Sequence, residues 1–123
     1  MRSLLPELNG VRARRQGEDE VYLIDEGRKR LIPSHDTYNR LFMDWGGIVQ
    51  NLRLDDIETG PPIASGAVLA QAEGQATIWL IDNGHKRRVD AHPETMEKYR
   101  FKWPPAKVPP IVLDCIPLGN PLQ

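Results

Sequence analysis

The stretch Tyr22–Arg30 reads YLIDEGRKR, and the stretch Trp79–Arg87 reads WLIDNGHKR. Six of the nine positions are identical, and the first position is aromatic in both copies. An internal repeat of this kind predicts that the chain is built from two copies of one structural unit.

Each copy has the pattern of a β-hairpin, in which an apolar run meets a turn. Asn83-Gly84 accepts positive φ at both central positions, as a type I′ turn requires. Glu26-Gly27 is a weaker match and predicts a bulged turn with the glycine in the left-handed conformation. The strands that return from the turns are predicted at 28–32 and 85–89.

The likeness between the copies continues well beyond the hairpins. Trp45 matches Trp103, and Gly60 matches Gly119, with a drift of only two residues. We therefore predict one domain over residues 1–123, with repeat one at 10–65 and repeat two at 66–123. Because half a chain of this length buries too little apolar surface to be stable alone, the two repeats are expected to share one core with pseudo-two-fold symmetry.

The predicted fold is mainly β with short helices, in the α+β class, and each repeat has the order β-β-β-α-β. Val11–Arg15 is predicted as a strand with Arg12 pointing outward. Ser34 is a suitable N-cap for a helix over 35–43. In repeat two, Pro93 takes the first helical position.

The final element of each repeat is expected to differ between the copies. Ile48–Leu54 is predicted as a strand. Its counterpart, Lys107–Leu113, contains Pro109-Pro110, which removes backbone donors and predicts an edge strand or a non-strand path.

Composition excludes several classes of function. The net charge is −1, which does not favour nucleic acid, and the single cysteine allows no disulfide within the chain. No stretch is long and apolar enough to span a membrane. The first residues lack a signal-peptide core, so a cytoplasmic protein, or one released by a signal-independent route, is expected.

The repeat supplies the candidate ligand-binding residues. Aromatic side chains that begin the hairpins would stack on a sugar ring, and the carboxylates and cations beside them would make polar contacts. The alternatives are a solvated hairpin face for the cations and turn hydrogen bonds for the aspartates. The residues are Tyr22, Asp25, Lys29, Arg30, Trp79, Asp82, Lys86 and Arg87.

Other residues that recur in both copies are expected to have structural roles rather than to bind a ligand. Trp45 and Trp103 end an apolar helical stripe and are expected in the core rather than in a site. His35 and His92 are expected to cap or pack at helix starts, because no cluster has metal-ligand spacing. No catalytic motif is present. We therefore expect no catalytic residues, no metal, no cofactor and no enzyme activity.

The pattern aromatic-L-I-D-x-G-x-K-R, followed by a short helix, a tryptophan and G-x-P, resembles a repeat module of bacterial surface and secreted proteins. The resemblance covers about residues 10–122. It implies a binding or adhesive role rather than chemistry, without an assigned ligand.

These observations predict a non-catalytic, lectin-like binding module with two equivalent sites for a carbohydrate or cell-surface group. The alternative is a protein-interaction or toxin-type component. It would act through a protein partner or by assembling with a second copy of itself.

Overall fold

A computed structural model describes residues 2–89 and 94–123. They form a mixed α+β fold with one three-stranded sheet, one four-stranded sheet and a few short helices. The α+β class predicted from the sequence is therefore confirmed.

The two sheets are built around the two hairpins. The first is antiparallel with the order β1-β2-β3, and the second has the order β6-β5-β4-β7, in which only β7 runs parallel to its neighbour. The strands are β1 (Arg12–Ala13), β2 (Tyr22–Asp25), β3 (Arg28–Leu31), β4 (Val68–Ala72), β5 (Ile78–Asp82), β6 (His85–Arg88) and β7 (Ala106–Val108). The helices are α1 (His35–Leu41), α2 (Thr95–Tyr99) and α3 (Pro110–Asp114), with 3₁₀ turns at Pro6–Leu8 and Leu54–Asp56.

Both hairpin turns have two residues with positive φ. Asn83 and Gly84 have φ of 51° and 78°, as the type I′ prediction requires. Glu26 and Gly27 have 54° and 73°, so the bulged turn predicted there is wrong. The non-glycine residue is accommodated with its side chain exposed and its carboxylate 3.1 Å from Arg87 Nη2.

The first helix begins where the sequence predicts. Ser34 Oγ accepts a hydrogen bond from the Thr37 backbone N–H at 3.2 Å, which is the N-cap contact. The helix ends at Leu41, because Phe42 adopts an extended conformation. In the second half, Pro93 and His92 lie outside the described residues.

The last predicted strand of repeat one is wrong. Within Ile48–Leu54 only Val49 forms an isolated bridge, to Ala13, and the 3₁₀ turn begins at Leu54. The counterpart in repeat two has the expected edge character, since β7 pairs only with β4 and α3 begins at Pro110. The two prolines therefore end the strand and start a helix.

The largest hydrophobic cluster draws on both halves of the chain. Phe42 and Phe101 meet in it, with ring centroids 5.6 Å apart, and their backbones form an antiparallel bridge. Its other members include Val21, Leu23, Ile32, Tyr38, Leu41, Ile63, Leu69, Ile78, Leu80, Val89, Tyr99 and Leu122. Each half therefore completes the apolar surroundings of the other.

For three side chains the prediction of burial or exposure is wrong. Trp45 and Trp103 are exposed for 41% and 63% of their surfaces, because the helical stripe stops before either residue is reached. Arg12, predicted to point outward, is buried and donates to the Tyr38 hydroxyl and the Gly46 carbonyl.

Candidate functional site

The two hairpins bring four recurring charged residues together at one place. Asp25 and Asp82 end β2 and β5, and Arg30 and Arg87 lie on the returning strands β3 and β6. We call these four residues the ion-pair cluster. Their side chains are 1–8% exposed, so the solvated hairpin face considered for the cations is wrong for both arginines.

The contacts in the ion-pair cluster cross between the two hairpins. Arg30 donates to Asp25 at 2.8 Å and to Asp82 at 2.5 Å. Arg87 donates to Asp25 through both terminal nitrogens, with Nη2 at 3.0 Å from Oδ1. Each arginine therefore contacts an aspartate of the other hairpin, and bidentate contacts of this kind fix geometry as well as charge.

The remaining polar atoms of the cluster bind backbone groups. Arg30 Nε donates to the Pro61 carbonyl, and Arg87 Nε donates to the Asn120 carbonyl, both at 2.7 Å. Asp82 Oδ1 accepts from the Ala64 backbone N–H at 2.8 Å. These charges are therefore well paired, as buried charges must be to be tolerated.

The lysines that precede these arginines also make equivalent contacts. Lys29 Nζ donates to the Leu54 carbonyl at 2.7 Å, and Lys86 Nζ donates to the Leu113 carbonyl at 2.9 Å. Lys29 is buried and Lys86 is half-buried. Burial lowers the pKa of Lys29, with Arg15 and Arg2 adding to the effect.

The ion-pair cluster predicts a dependence of stability on pH. Burial works to raise the pKa of Asp25, but hydrogen bonds and charges from Arg87 and Arg30 outweigh it, and the pKa is lowered. A carboxylate with a lowered folded-state pKa stabilises the fold above its unfolded-state pKa, about 3.9, and loses that contribution as pH falls through the folded-state value. Urea unfolding measured from neutral to acid pH should therefore show the free energy of unfolding falling below about pH 4. Asp25→Asn should flatten this slope, and equal slopes in the two proteins would contradict the assignment.

A polar cleft of about 460 Å³ opens beside the ion-pair cluster, between the two hairpin turns. The four cluster residues line it together with Glu26 and Arg28. Counting these six side chains, three are acidic and three are basic, so the cleft carries no excess charge toward a ligand. The four cluster residues bind one another, and Glu26 lies 3.1 Å from Arg87.

The aromatic residues predicted as stacking surfaces are half-buried, and each contacts a cation of the chain. The Arg15 guanidinium lies 5.5 Å from the Tyr22 ring centroid, and the Lys86 ammonium lies 5.0 Å from that of Trp79. Tyr22 and Trp79 also pack against separate small hydrophobic clusters. The structure thus places all eight predicted residues in the two hairpins, but one face of each aromatic ring is covered.

A different pocket, which we call the aromatic pocket, lies where β3 leads into α1. It has a volume of about 150 Å³ and is walled by Trp45, Tyr38 and His35, with Asp19 and Glu20 among its lining residues. The Trp45 ring stacks on Tyr38 with centroids 3.8 Å apart, and the His35 ring meets its edge at 5.1 Å. Trp45 is therefore an exposed indole held by two neighbouring rings.

Hydrogen bonds hold the Trp45 and Tyr38 side chains of the aromatic pocket in place. Trp45 Nε1 donates to Asn39 Oδ1 at 2.8 Å, and the Tyr38 hydroxyl donates to the Asp44 carbonyl at 2.6 Å. The Tyr38 hydroxyl also accepts from the buried Arg12. Burial raises the pKa of Tyr38, although Arg12 opposes the shift, so the phenol stays protonated.

Sequence reasoning missed the aromatic pocket because two of its walls had separate structural interpretations. Trp45 was expected in the core, and His35 was expected to cap or pack at a helix start. The sequence could have indicated the pocket through the position where the helix ends, because a residue beyond the helix no longer follows helical periodicity.

Among residues 2–89 and 94–123, no group of three histidine, cysteine or acidic side chains is placed to hold a metal ion. In the same part of the chain, no helix is long and apolar enough to cross a membrane. No protein-family model, curated protein or solved structure matches this chain.

Proposed function

We propose that this protein is a non-catalytic, lectin-like binding module that holds one sugar ring of a carbohydrate in the aromatic pocket. The observation that carries the proposal is the exposed Trp45 indole at the edge of a cavity that also offers Ser34, His35 and two carboxylates. Binding sites for small molecules typically combine apolar and aromatic walls with a few polar groups that fix orientation.

Three features support Trp45 rather than the hairpin aromatics as the stacking surface. Trp45 is 41% exposed, whereas Tyr22 and Trp79 are half-buried under their cations. Its stacking on Tyr38 and its hydrogen bond to Asn39 hold the ring in place before a ligand arrives. A preorganised group loses less conformational freedom on binding and so gives more affinity.

The size of the aromatic pocket limits the group that enters it. About 150 Å³ is below the range of roughly 300–1,000 Å³ that is usual for sites enclosing a whole small molecule. The pocket therefore takes one ring or end group, and the rest of the ligand would lie outside it.

We also infer that the two halves are copies of one unit related by an approximate two-fold axis. The recurring Lys–carbonyl and Arg–carbonyl contacts support this relation. This relation between the halves does not require two equivalent binding sites. Met96 stands in the second half where Tyr38 stands in the first, so the ring on which Trp45 stacks is not repeated for Trp103.

Loss of the Trp45 indole should abolish or strongly weaken carbohydrate binding. On a broad glycan array, the native protein should bind selectively. Trp45→Ala should lower affinity by about thirtyfold or more, because a central aromatic anchor contributes about 2 kcal/mol or more. Trp45→Phe, which keeps a ring on Tyr38, should retain part of the binding.

Trp103→Ala is the matched control, since Trp103 is the repeat-two counterpart and is also exposed. Circular dichroism would establish that each variant is folded. Equal losses in Trp45→Ala and Trp103→Ala would contradict a single aromatic pocket. A loss seen only in a Tyr22→Ala/Trp79→Ala variant would move the site to the hairpins, and a folded protein that binds no glycan would overturn the proposal.

A second candidate function is protein interaction, and one observation favours it. Ile111 and Val112 on α3 are exposed, and α3 follows the edge strand β7. Exposed apolar side chains beside an edge strand are typical of surfaces that contact another protein. A molar mass that rises with concentration in light scattering, in a protein that binds no glycan, would favour this alternative.

A further inference from the structure

We infer that the group taken by the aromatic pocket carries an organic ammonium, and that the carbohydrate is an amino sugar with a free amine. This inference rests on the proposed function, because it names the ligand chemistry of the same pocket. It is carried by the combination of an exposed indole and two unpaired carboxylates around one small cavity.

The first step is the charge of the aromatic pocket. Asp19 and Glu20 line it, and no lysine or arginine is among its lining residues. Neither carboxylate has an ion-pair partner within residues 2–89 and 94–123. Arg15, four residues before Asp19 in the chain, binds Asp55 at 2.7 Å and covers Tyr22. The two carboxylates therefore remain available to a cation from outside.

The second step is the chemistry of the aromatic wall. The face of an indole is the most attractive aromatic surface for a cation, and the attraction grows when the cation is removed from water. The pocket also contains Val21, Ile32 and Pro33, which exclude water from part of its surface. An ammonium that carries a carbon skeleton satisfies both the apolar wall and the carboxylates, whereas a metal ion or an anion does not.

The third step is the contrast with the polar cleft beside the ion-pair cluster. The charged side chains of that cleft are balanced in number, and its four buried members bind one another. The aromatic pocket is lined by two carboxylates and by no lysine or arginine. Selectivity for a cation is therefore expected at the aromatic pocket and not at the cleft.

The test measures binding of three probes to the whole protein by isothermal titration calorimetry. The probes are a β-1,4-linked glucosamine tetramer, its fully N-acetylated counterpart and choline. The measurement is made at mildly acidic pH, where the free amines of the glucosamine tetramer are protonated. We expect the glucosamine tetramer to bind about tenfold more tightly than the acetylated one, a ratio equivalent to about 1.4 kcal/mol. The difference should shrink at high salt, because the carboxylates are exposed.

The double variant Asp19→Asn/Glu20→Gln should remove this preference. Glu18→Gln is the matched control, because Glu18 belongs to the same acidic run but does not line the pocket and faces Arg15 at 3.9 Å. All three substitutions are on exposed residues, so the fold should be unaffected.

Each result separates the inference from the proposed function. Equal binding of the two tetramers would retain the carbohydrate module and overturn the ammonium inference. Binding of choline without either tetramer would support the ammonium and overturn the carbohydrate. Binding of no probe, or an unchanged preference in the double variant, would overturn the inference.

Discussion

Replacing Asp25 with alanine is expected to lower the free energy of unfolding by about 3–5 kcal/mol, because removing one member of a buried ion pair strands the other. Asp25 is 1% exposed and accepts hydrogen bonds from both Arg30 and Arg87. Without it, Arg30 keeps Asp82, whereas Arg87 keeps the half-exposed Glu26 and the Asn120 carbonyl. A loss of this size is a large part of a typical total of about 5–15 kcal/mol.

Asp55→Ala is the matched control for Asp25→Ala. Asp55 also forms an ion pair with an arginine, Arg15 at 2.7 Å, but its side chain is 85% exposed. Exposed pairs contribute about 0–1 kcal/mol, so urea unfolding should separate the two variants clearly. Similar losses in both would show that the buried arginines regain water when Asp25 is removed.

A second substitution tests the physical reason for the loss. Arg87→Met in the Asp25→Ala background removes the stranded charge while keeping a long side chain. The double variant should therefore be more stable than the sum of the single losses predicts, by about 0.5–3 kcal/mol. Additive losses would mean that Asp25 stabilises the fold through contacts other than Arg87.

Phe42→Ala should lower the free energy of unfolding by about 3–5 kcal/mol, the usual range for removing a buried phenylalanine. Phe42 is buried against Phe101, and its ring centroid lies 4.9 Å from that of Tyr38. Because the rest of the largest hydrophobic cluster still joins the two halves, the variant should still unfold in one transition. Circular dichroism and tryptophan fluorescence should give the same midpoint, since Trp45 and Trp79 report on opposite halves.

Met43→Ala provides the control for Phe42→Ala. Met43 is the next residue but is exposed, so its truncation should change stability by no more than about 0.5 kcal/mol. Two separate transitions in Phe42→Ala would contradict a shared core. A loss below about 1 kcal/mol would mean that neighbouring rings collapse into the space.

The local parts of this fold were predictable because their causes lie within a few residues. Asn83-Gly84 specifies its own turn, and Ser34 caps its helix through a residue three positions later. Pro109-Pro110 ends a strand by removing donors, whatever surrounds it. The left-handed conformation of Glu26 was harder to predict, because it accompanies a contact with Arg87 in the other half.

The candidate site was harder to predict because its causes are distant in the chain. The burial of Arg30 depends on Asp82, and a hydropathy pattern contains no sign of that partner. Trp45 was assigned to the core because it continues the periodicity of α1, but Phe42 turns the backbone out of the helix first. A pocket made from a turn, a helix start and a tryptophan beyond the helix has no continuous sequence signature.

The contacts of the ion-pair cluster that join the two hairpins also restrict which substitutions the chain can tolerate during evolution. If the units arose by duplication, each copy now supplies a carboxylate that an arginine of the other copy contacts. Exchanging the first copy for a version without Asp25 would take from Arg87 its aspartate, whereas loss of Asp82 would still leave Arg30 paired with Asp25. Compensating changes are therefore expected between the two halves as well as within the first, where Arg30 binds Asp25.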